Sequence, residues 1–202
     1  MLSLALDDDR RSLPYYLIHL LDAEDTAGYF QAFGALLREE EAQLLWRGGL
    51  QTLHSGRTRD EIREVALLEF RAGSSVVRMM TSSAYRDLTA QTAPILLGTE
   101  SPPGPIAQDE TLLLWLVDLV EGGDVAVLED LGGTAGDFRG QLIWSTPIAV
   151  LEGDRDWNHA LLIAFPDAER LSEWLRAPAT STARALARRQ YAAEALLELQ
   201  SG

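Results

Sequence analysis

Apolar and polar positions alternate along this chain in a way that predicts the same run of elements twice. Tyr15 to Leu21 (YYLIHLL) is aromatic and aliphatic, is closed by Asp22, and predicts a first strand. Phe30, Phe33 and Leu37 fall at i, i+3 and i+7 with Arg38, Glu39 and Glu41 turned to solvent, which predicts a helix over about Thr26 to Glu41. Leu44 to His54 and Glu64 to Phe70 predict the strands of a hairpin around the polar loop Ser55 to Arg63, with a bulge or a close backbone approach expected at Gly48 and Gly49. Ser74 is expected to cap a helix carrying Val76, Val77 and Met80, and Ser82 or Ser83 a second one with Tyr85 and Leu88. Pro94 ends the helical stretch, and Ile95 to Leu97 predict a short edge strand.

The second half repeats this order in degraded form. LIWSTPIAVLEGDRDWNHALLIAF, Leu142 to Phe165, echoes the first hairpin: Trp144 follows Trp46 by 98 positions (144 − 46) and Phe165 follows Phe70 by 95 (165 − 70). Thr111 to Leu119 predicts a strand buried on both faces, and Asp124 to Asp137 a helical region broken by Gly132, Gly133 and Gly136. Pro166 and Asp167 mark a helix start before Leu171, Trp174 and Leu175, Pro178 opens a last helix to about Tyr191, and Ala195 to Leu199 is either a final strand or more helix. Between the halves, Thr99 to Asp109 (TESPPGPIAQD) carries three prolines and a glycine and reads as a linker. The resulting expectation is an α+β chain of two ferredoxin-like β-α-β-β-α-β repeats, residues 13–98 and 110–202 joined by 99–109, with their sheets packed face to face.

Composition narrows the chemistry. The 202 residues carry a formal net charge of −14, which opposes binding to nucleic acid or anionic bilayers. The chain has no cysteine, and all 17 basic residues are arginine, which removes thiol nucleophiles, disulfides, Schiff-base lysines and the phosphate-loop lysine. MLSLAL at the start is too short for a signal-peptide core, and the longest apolar run, Leu112 to Val117, is far below the roughly 20 residues of a membrane span. A cytoplasmic protein is the expectation.

Repeat one resembles the dimeric α/β-barrel superfamily and, within it, the domain-of-unknown-function family thirteen-thirty. The residues that carry the likeness are Trp46-Arg-Gly-Gly-Leu50, Leu67-Leu-Glu-Phe70 and Ser82-Ser-Ala-Tyr85. Repeat two keeps Trp144 and Phe165 but has Thr146 and Pro147 in place of the glycines and Ala164 in place of Glu69. The resemblance implies a barrel built from two sheets, usually by dimerisation and here by fusion within one chain. It implies no single reaction, since the superfamily includes cofactor-free monooxygenases, haem enzymes, isomerases and binding proteins.

Strand periodicity puts His19 and Glu69 among apolar neighbours, and a His-Glu pair facing the barrel interior would make His19 a general base oriented by the carboxylate. Buried ionisable groups must be paired but need not be catalytic, so a purely structural pair is the competing reading. Arg47 and Gln51 share a strand face and suit an anionic substrate; Tyr15, Trp46 and Tyr85 are candidates to line an aromatic pocket. The three histidines, His19, His54 and His159, show no metal-ligand spacing, so neither a metal nor a cofactor is implied. Gly132 to Gly136 reads as a connecting turn, and Arg184, Arg188 and Arg189 as a solvated helix face. The function expected is a small-molecule-binding or cofactor-free enzyme domain with its pocket between the two sheets; a non-enzymatic interaction module and a haem-binding barrel are the alternatives. Among partners, a small-molecule ligand is admitted and nucleic acid and membrane are not, and the chain is either a monomer with an internal pseudo-dimer or a homodimer.

Overall fold

The structure, a computed structural model, describes residues 13–21, 26–55, 62–90, 92–107 and 109–201. The acidic lead-in over 1–12 and most of the loop expected between the first hairpin strands lie outside the described residues. The first half runs β1 (Tyr15–Leu21), α1 (Thr26–Glu39), β2 (Gln43–Ser55), β3 (Glu64–Phe70), α2 (Gly73–Thr81), α3 (Ser83–Thr89) and β4 (Ile95–Thr99). The second runs β5 (Thr111–Leu119), α4 (Val125–Gly133) continued by a 3-10 turn over Thr134–Phe138, β6 (Gln141–Pro147), β7 (Ala149–Glu152), β8 (His159–Phe165), α5 (Ala168–Arg176), α6 (Pro178–Ala187) and β9 (Tyr191–Ser201).

The strands form one nine-stranded sheet of order β6-β8-β5-β9-β2-β3-β1-β4-β7, and all of its pairings are antiparallel. Its two outermost strands, β6 and β7, are successive pieces of chain separated by Ile148 alone, so the ends of the sheet are brought together and it curls into a barrel. The two sheets expected to pack face to face are thus one continuous ladder, joined where β2 meets β9. For the same reason β4 is not an edge strand, because Leu96 and Leu97 pair with Glu152 and Val150 of β7.

Alternation along the strands sorts the core into three parts. Inward side chains from both halves, among them Tyr16, Ile18, Trp46, Leu67, Leu114, Trp144, Leu162 and Leu197, fill the barrel. Outward side chains of the first half pack under α1, α2 and α3, and those of the second half under α4, α5 and α6. Six helices thus cover the outside among the described residues.

Several local features depart from the pattern reading. Against β3, β2 bulges at Leu45, between Leu44 and Trp46, and not at Gly48 and Gly49, which pair regularly with Val65 and Glu64. Strict alternation would leave Leu44 and Trp46 on one face; the extra residue resets it, so that Leu44 opposes Leu68 on the helix side and Trp46 opposes Leu67 inside the barrel. In β6 the bulge falls at Ile143, between Leu142 and Trp144. The register offsets therefore hold along both hairpins: β2 to β6 is 98 throughout (141 − 43, 144 − 46), and β3 to β8 is 95 (164 − 69, 162 − 67). At α2 the N-cap is Ala72, with no side-chain cap, whereas Ser82 accepts from the Tyr85 amide at the head of α3. The last helix stops at Ala187 and the chain from Tyr191 is strand: β9 pairs with both β5 and β2, and its apolar residues Leu197 and Leu199 face the barrel interior. Arg188 and Arg189 are exposed as expected, but Arg184 is largely covered, and both Arg184 and Arg188 reach the buried carboxylate of Glu194, which also accepts from Trp115 Nε1 and the Tyr191 hydroxyl.

Candidate functional site

The polar groups richest in chemistry lie outside the barrel, between β1 and α1. The apolar stripe of α1, Tyr29, Phe30, Phe33, Leu36 and Leu37, lies over the outward residues of β1, which are Leu17, His19 and Leu21. His19 is completely buried there, with ring centroids of Phe33 at 4.8 Å, Tyr29 at 5.4 Å and Phe30 at 5.6 Å. Its Nε2 stands 2.9 Å from the Tyr29 hydroxyl. Burial drives the His19 pKa down to about 3, against a weaker opposing pull from its own main chain, so the ring is neutral at pH 7. The Tyr29 hydroxyl is pushed the other way, first by burial and then by the field of Glu152, and stays protonated.

The second ring nitrogen, Nδ1, is buried and has no hydrogen-bond partner among the described residues. A neutral imidazole carries one proton, so the Tyr29 contact decides what Nδ1 presents. If Nε2–H donates to Tyr29, Nδ1 is a bare acceptor; if the Tyr29 hydroxyl donates to Nε2, Nδ1 carries the hydrogen and donates.

Two further groups close this layer. The Tyr85 hydroxyl donates to Glu152 Oε2 at 2.6 Å, tying α3 to the end of β7, and burial followed by that bond raises the Tyr85 pKa. On the opposite side the Arg47 guanidinium lies 4.1 Å above the Phe30 ring centroid and pairs through Nε with Glu64. Arg47, expected as an anchor for an anion, is therefore already committed to a carboxylate, and Gln51 is exposed beside Glu198 on the outer face.

The His19–Glu69 pair does not form. His19 opposes Ala66, on the helix side, whereas Glu69 opposes Tyr16, on the barrel side, so a sheet lies between them. An aromatic pocket of Tyr15, Trp46 and Tyr85 does not form either: Trp46 is inside the barrel, while Tyr85 packs in the outer layer and Tyr15 lies against Gly98 and Gly73 on that same side. Glu69 instead lines a cleft of about 250 Å³ at one mouth of the barrel, with Tyr16, Leu45 and the linker residues Pro102 to Ile106. A cleft of about 240 Å³ at the other mouth is lined by Leu20, Ile62, Ala93, Ile95 and Gly153 to Arg155. Between the mouths the interior is filled by apolar side chains, crossed by a hydroxyl contact of 2.8 Å between Thr99 and Thr146.

Tyr29, Glu64 and Glu152 were invisible as site residues in the sequence for different reasons. Tyr29 stands four residues before Phe33 on the same helix face, a spacing that pattern reading could have used. Glu152 reaches Tyr85 across 67 residues and Glu64 reaches Arg47 across 17, which no local pattern reports.

With strand order and barrel closure in view, the solved structures can be compared. An anthrone oxidase-like protein superposes with a TM-score of 0.58 over 93% of this chain and 92% of its own, at 12% identity. A dye-decolorizing protein from V. cholerae gives 0.55 over 95% of each chain at 10% identity. A candidate monooxygenase from Lactobacillus acidophilus NCFM gives 0.51 over 93% of each at 11% identity. The fold is that of the dimeric α/β barrels. No protein-family model and no curated protein matches the sequence.

Identities this low establish the barrel and nothing of its chemistry. Haem, one of the alternatives expected from the sequence, does not fit the described residues: His19 is sealed among aromatic rings with Nε2 engaged by Tyr29, and His159 holds Ser145 at 3.0 Å. Neither ring stands on the wall of a described cleft, and no group of three metal-ligating side chains occurs among the described residues. No described helix is long and apolar enough to cross a membrane.

Proposed function

We propose that this protein binds a small, flat, largely apolar molecule bearing a hydroxyl or carbonyl, and that the polar contact for it is Nδ1 of His19, reached by parting α1 from β1, since no described cleft opens onto the ring. The single observation that carries the reading is that buried nitrogen: polar atoms in protein interiors are almost always paired, and an orphan inside an aromatic layer marks a place for a partner. The His19–Tyr29 pair offers a donor or an acceptor by shifting one proton, which suits either a carbonyl or a hydroxyl. With its pKa driven down to about 3 by burial, the ring stays neutral and is a poor proton acceptor, so its role toward a ligand is that of a hydrogen-bond partner. Ligand binding through a neutral imidazole is what this arrangement supports, with Glu69 outside it.

The two halves, 13–98 and 110–202 with 99–109 between them, are read as copies of one unit paired within the chain. The matched bulges at Leu45 and Ile143 and the constant register offsets support this. The motif Trp46 to Leu50, with Leu67 to Phe70 and Ser82 to Tyr85, supports placing the first copy beside the domain-of-unknown-function family thirteen-thirty. A cytoplasmic location goes with this reading. One observation favours the alternative of a non-enzymatic module: the barrel interior is filled across its middle.

Anthrone serves as the first probe, since one fold neighbour is described as anthrone oxidase-like. The protein is labelled with 15N-histidine and titrated without oxygen while the imidazole nitrogens are followed by NMR. Saturable movement of the His19 Nδ1 resonance, lost in Tyr29→Phe, is the expected result. Binding that leaves His19 unmoved, or no binding of anthrone or any related phenol, overturns the reading.

A further inference from the structure

The barrel mouth that carries Glu69 holds a second site, unconnected to His19. We infer that the cleft formed by Tyr16, Leu45, Glu69 and the linker binds a small organic ammonium ion with an apolar body.

The argument begins with the pseudo-equivalence of the hairpins at this mouth. The bulge residues Leu45 and Ile143 stand in matching positions, as do Glu69 and Ala164. On the second-half side the place is taken by the linker itself: the Gly104 amide donates to the Ile143 carbonyl at 3.0 Å, and a Cβ on Gly104 would come within 2.7 Å of that oxygen. Only glycine lets the linker lie so close. On the first-half side the linker stands off, and the space of about 250 Å³ between it and Leu45 is open.

Chemistry differs between the two sides as well. Where the second half presents Ala164 and Leu112, the first presents Glu69 and Tyr16, which face each other across β3 and β1. Glu69 is half-buried, and among the described residues no hydrogen bond or ion pair engages its carboxylate; its field acts on the Tyr16 hydroxyl, which burial and Glu69 together hold protonated. A carboxylate set without a counterion among Leu45, Ile106 and three proline rings is an incomplete ion pair with apolar walls. A primary ammonium supplies the missing charge and three donors, and its hydrocarbon part covers the prolines. An anion is disfavoured by the same carboxylate, and a neutral molecule leaves it unpaired.

The test uses the full chain, benzylamine as probe and benzyl alcohol as its neutral counterpart, read by amide chemical shifts. Benzylamine should shift Leu45, Glu69, Gly104 and Ile106 saturably, and at least about tenfold more tightly than benzyl alcohol, the value of a charge-assisted hydrogen bond. Glu69→Gln should bring the two probes to the same affinity. Leu45→Arg, which places a tethered guanidinium at the exposed bulge, should abolish benzylamine binding with Glu69 intact. The inference falls if benzylamine causes no saturable shift at these amides, if the alcohol binds as well, or if both variants bind benzylamine like the parent. His19 resonances should stay still throughout, so this result and the anthrone titration succeed or fail independently.

Discussion

His19 makes acid stability a direct readout of how dry the helix-facing layer is. Its folded pKa of about 3 lies below the usual 6.5, so above pH 6.5 neither folded nor unfolded chain carries the proton and the site is neutral in both. As pH falls below 6.5 the unfolded chain takes up a proton that the folded chain refuses, and folding stability drops continuously until the folded pKa is passed. The slope is about 1.4 kcal/mol per pH unit, so about 2 kcal/mol is lost by pH 5, and about 5 kcal/mol by pH 3 if the whole shift is expressed. At this chain length 2 kcal/mol lowers the melting temperature by about 4–8 °C. His159 is also held below its usual range by burial, and carboxylates titrate further down, so the parent alone does not isolate the effect. His19→Leu, which matches its neighbours Leu17 and Leu21, serves as reference. Urea unfolding of both proteins at pH 7.5 and pH 5.0 should show the parent losing about 2 kcal/mol more than the variant over that interval. Parallel losses would mean that water or a partner reaches the imidazole, and the account of a desolvated ring would be wrong.

Two further substitutions probe the packing that holds the barrel. Gly98→Ala should destabilise by about 1–3 kcal/mol in chemical denaturation, because the new methyl would stand 2.3 Å from the Tyr15 hydroxyl and 2.6 Å from its ring; pairing it with Tyr15→Ala should recover part of the loss. Glu194→Ala strands Trp115 Nε1, the Tyr191 hydroxyl and two arginines at once, and should cost about 3–5 kcal/mol by the same assay, against an exposed control such as Glu41→Ala that changes little.

What the sequence made legible follows from the range over which each feature is written. The strand and helix order came through because burial on one face imposes a period that neighbouring residues share, as in Tyr15–Leu21 and in Phe30, Phe33 and Leu37. The Trp46 and Trp144 spacing came through because both tryptophans follow a bulge and point inward. Which side His19 faces did not, since both faces of β1 are covered, one by the barrel core and one by α1, and a doubly buried strand has no polar side to orient by. Placing Glu69 against His19 therefore rested on a choice between two equally apolar faces, and register decides it the other way. The contact of Arg184 and Arg188 with a buried carboxylate was hidden for a similar reason: arginines at helical spacing show no partner until the strand that carries Glu194 is set beneath them.

The continuity of β6 and β7 through Ile148 has a consequence for how such a chain changes over time. A ring of strands assembled from two identical subunits must accept every substitution in duplicate, so a polar group useful at one mouth appears at its mate whether or not it is tolerated there. Here each position is written once. On the reading of the halves as copies of one unit, Glu69 corresponds to an alanine and His19 to a fully buried Trp115, so that one half specialises while the other keeps the ring closed.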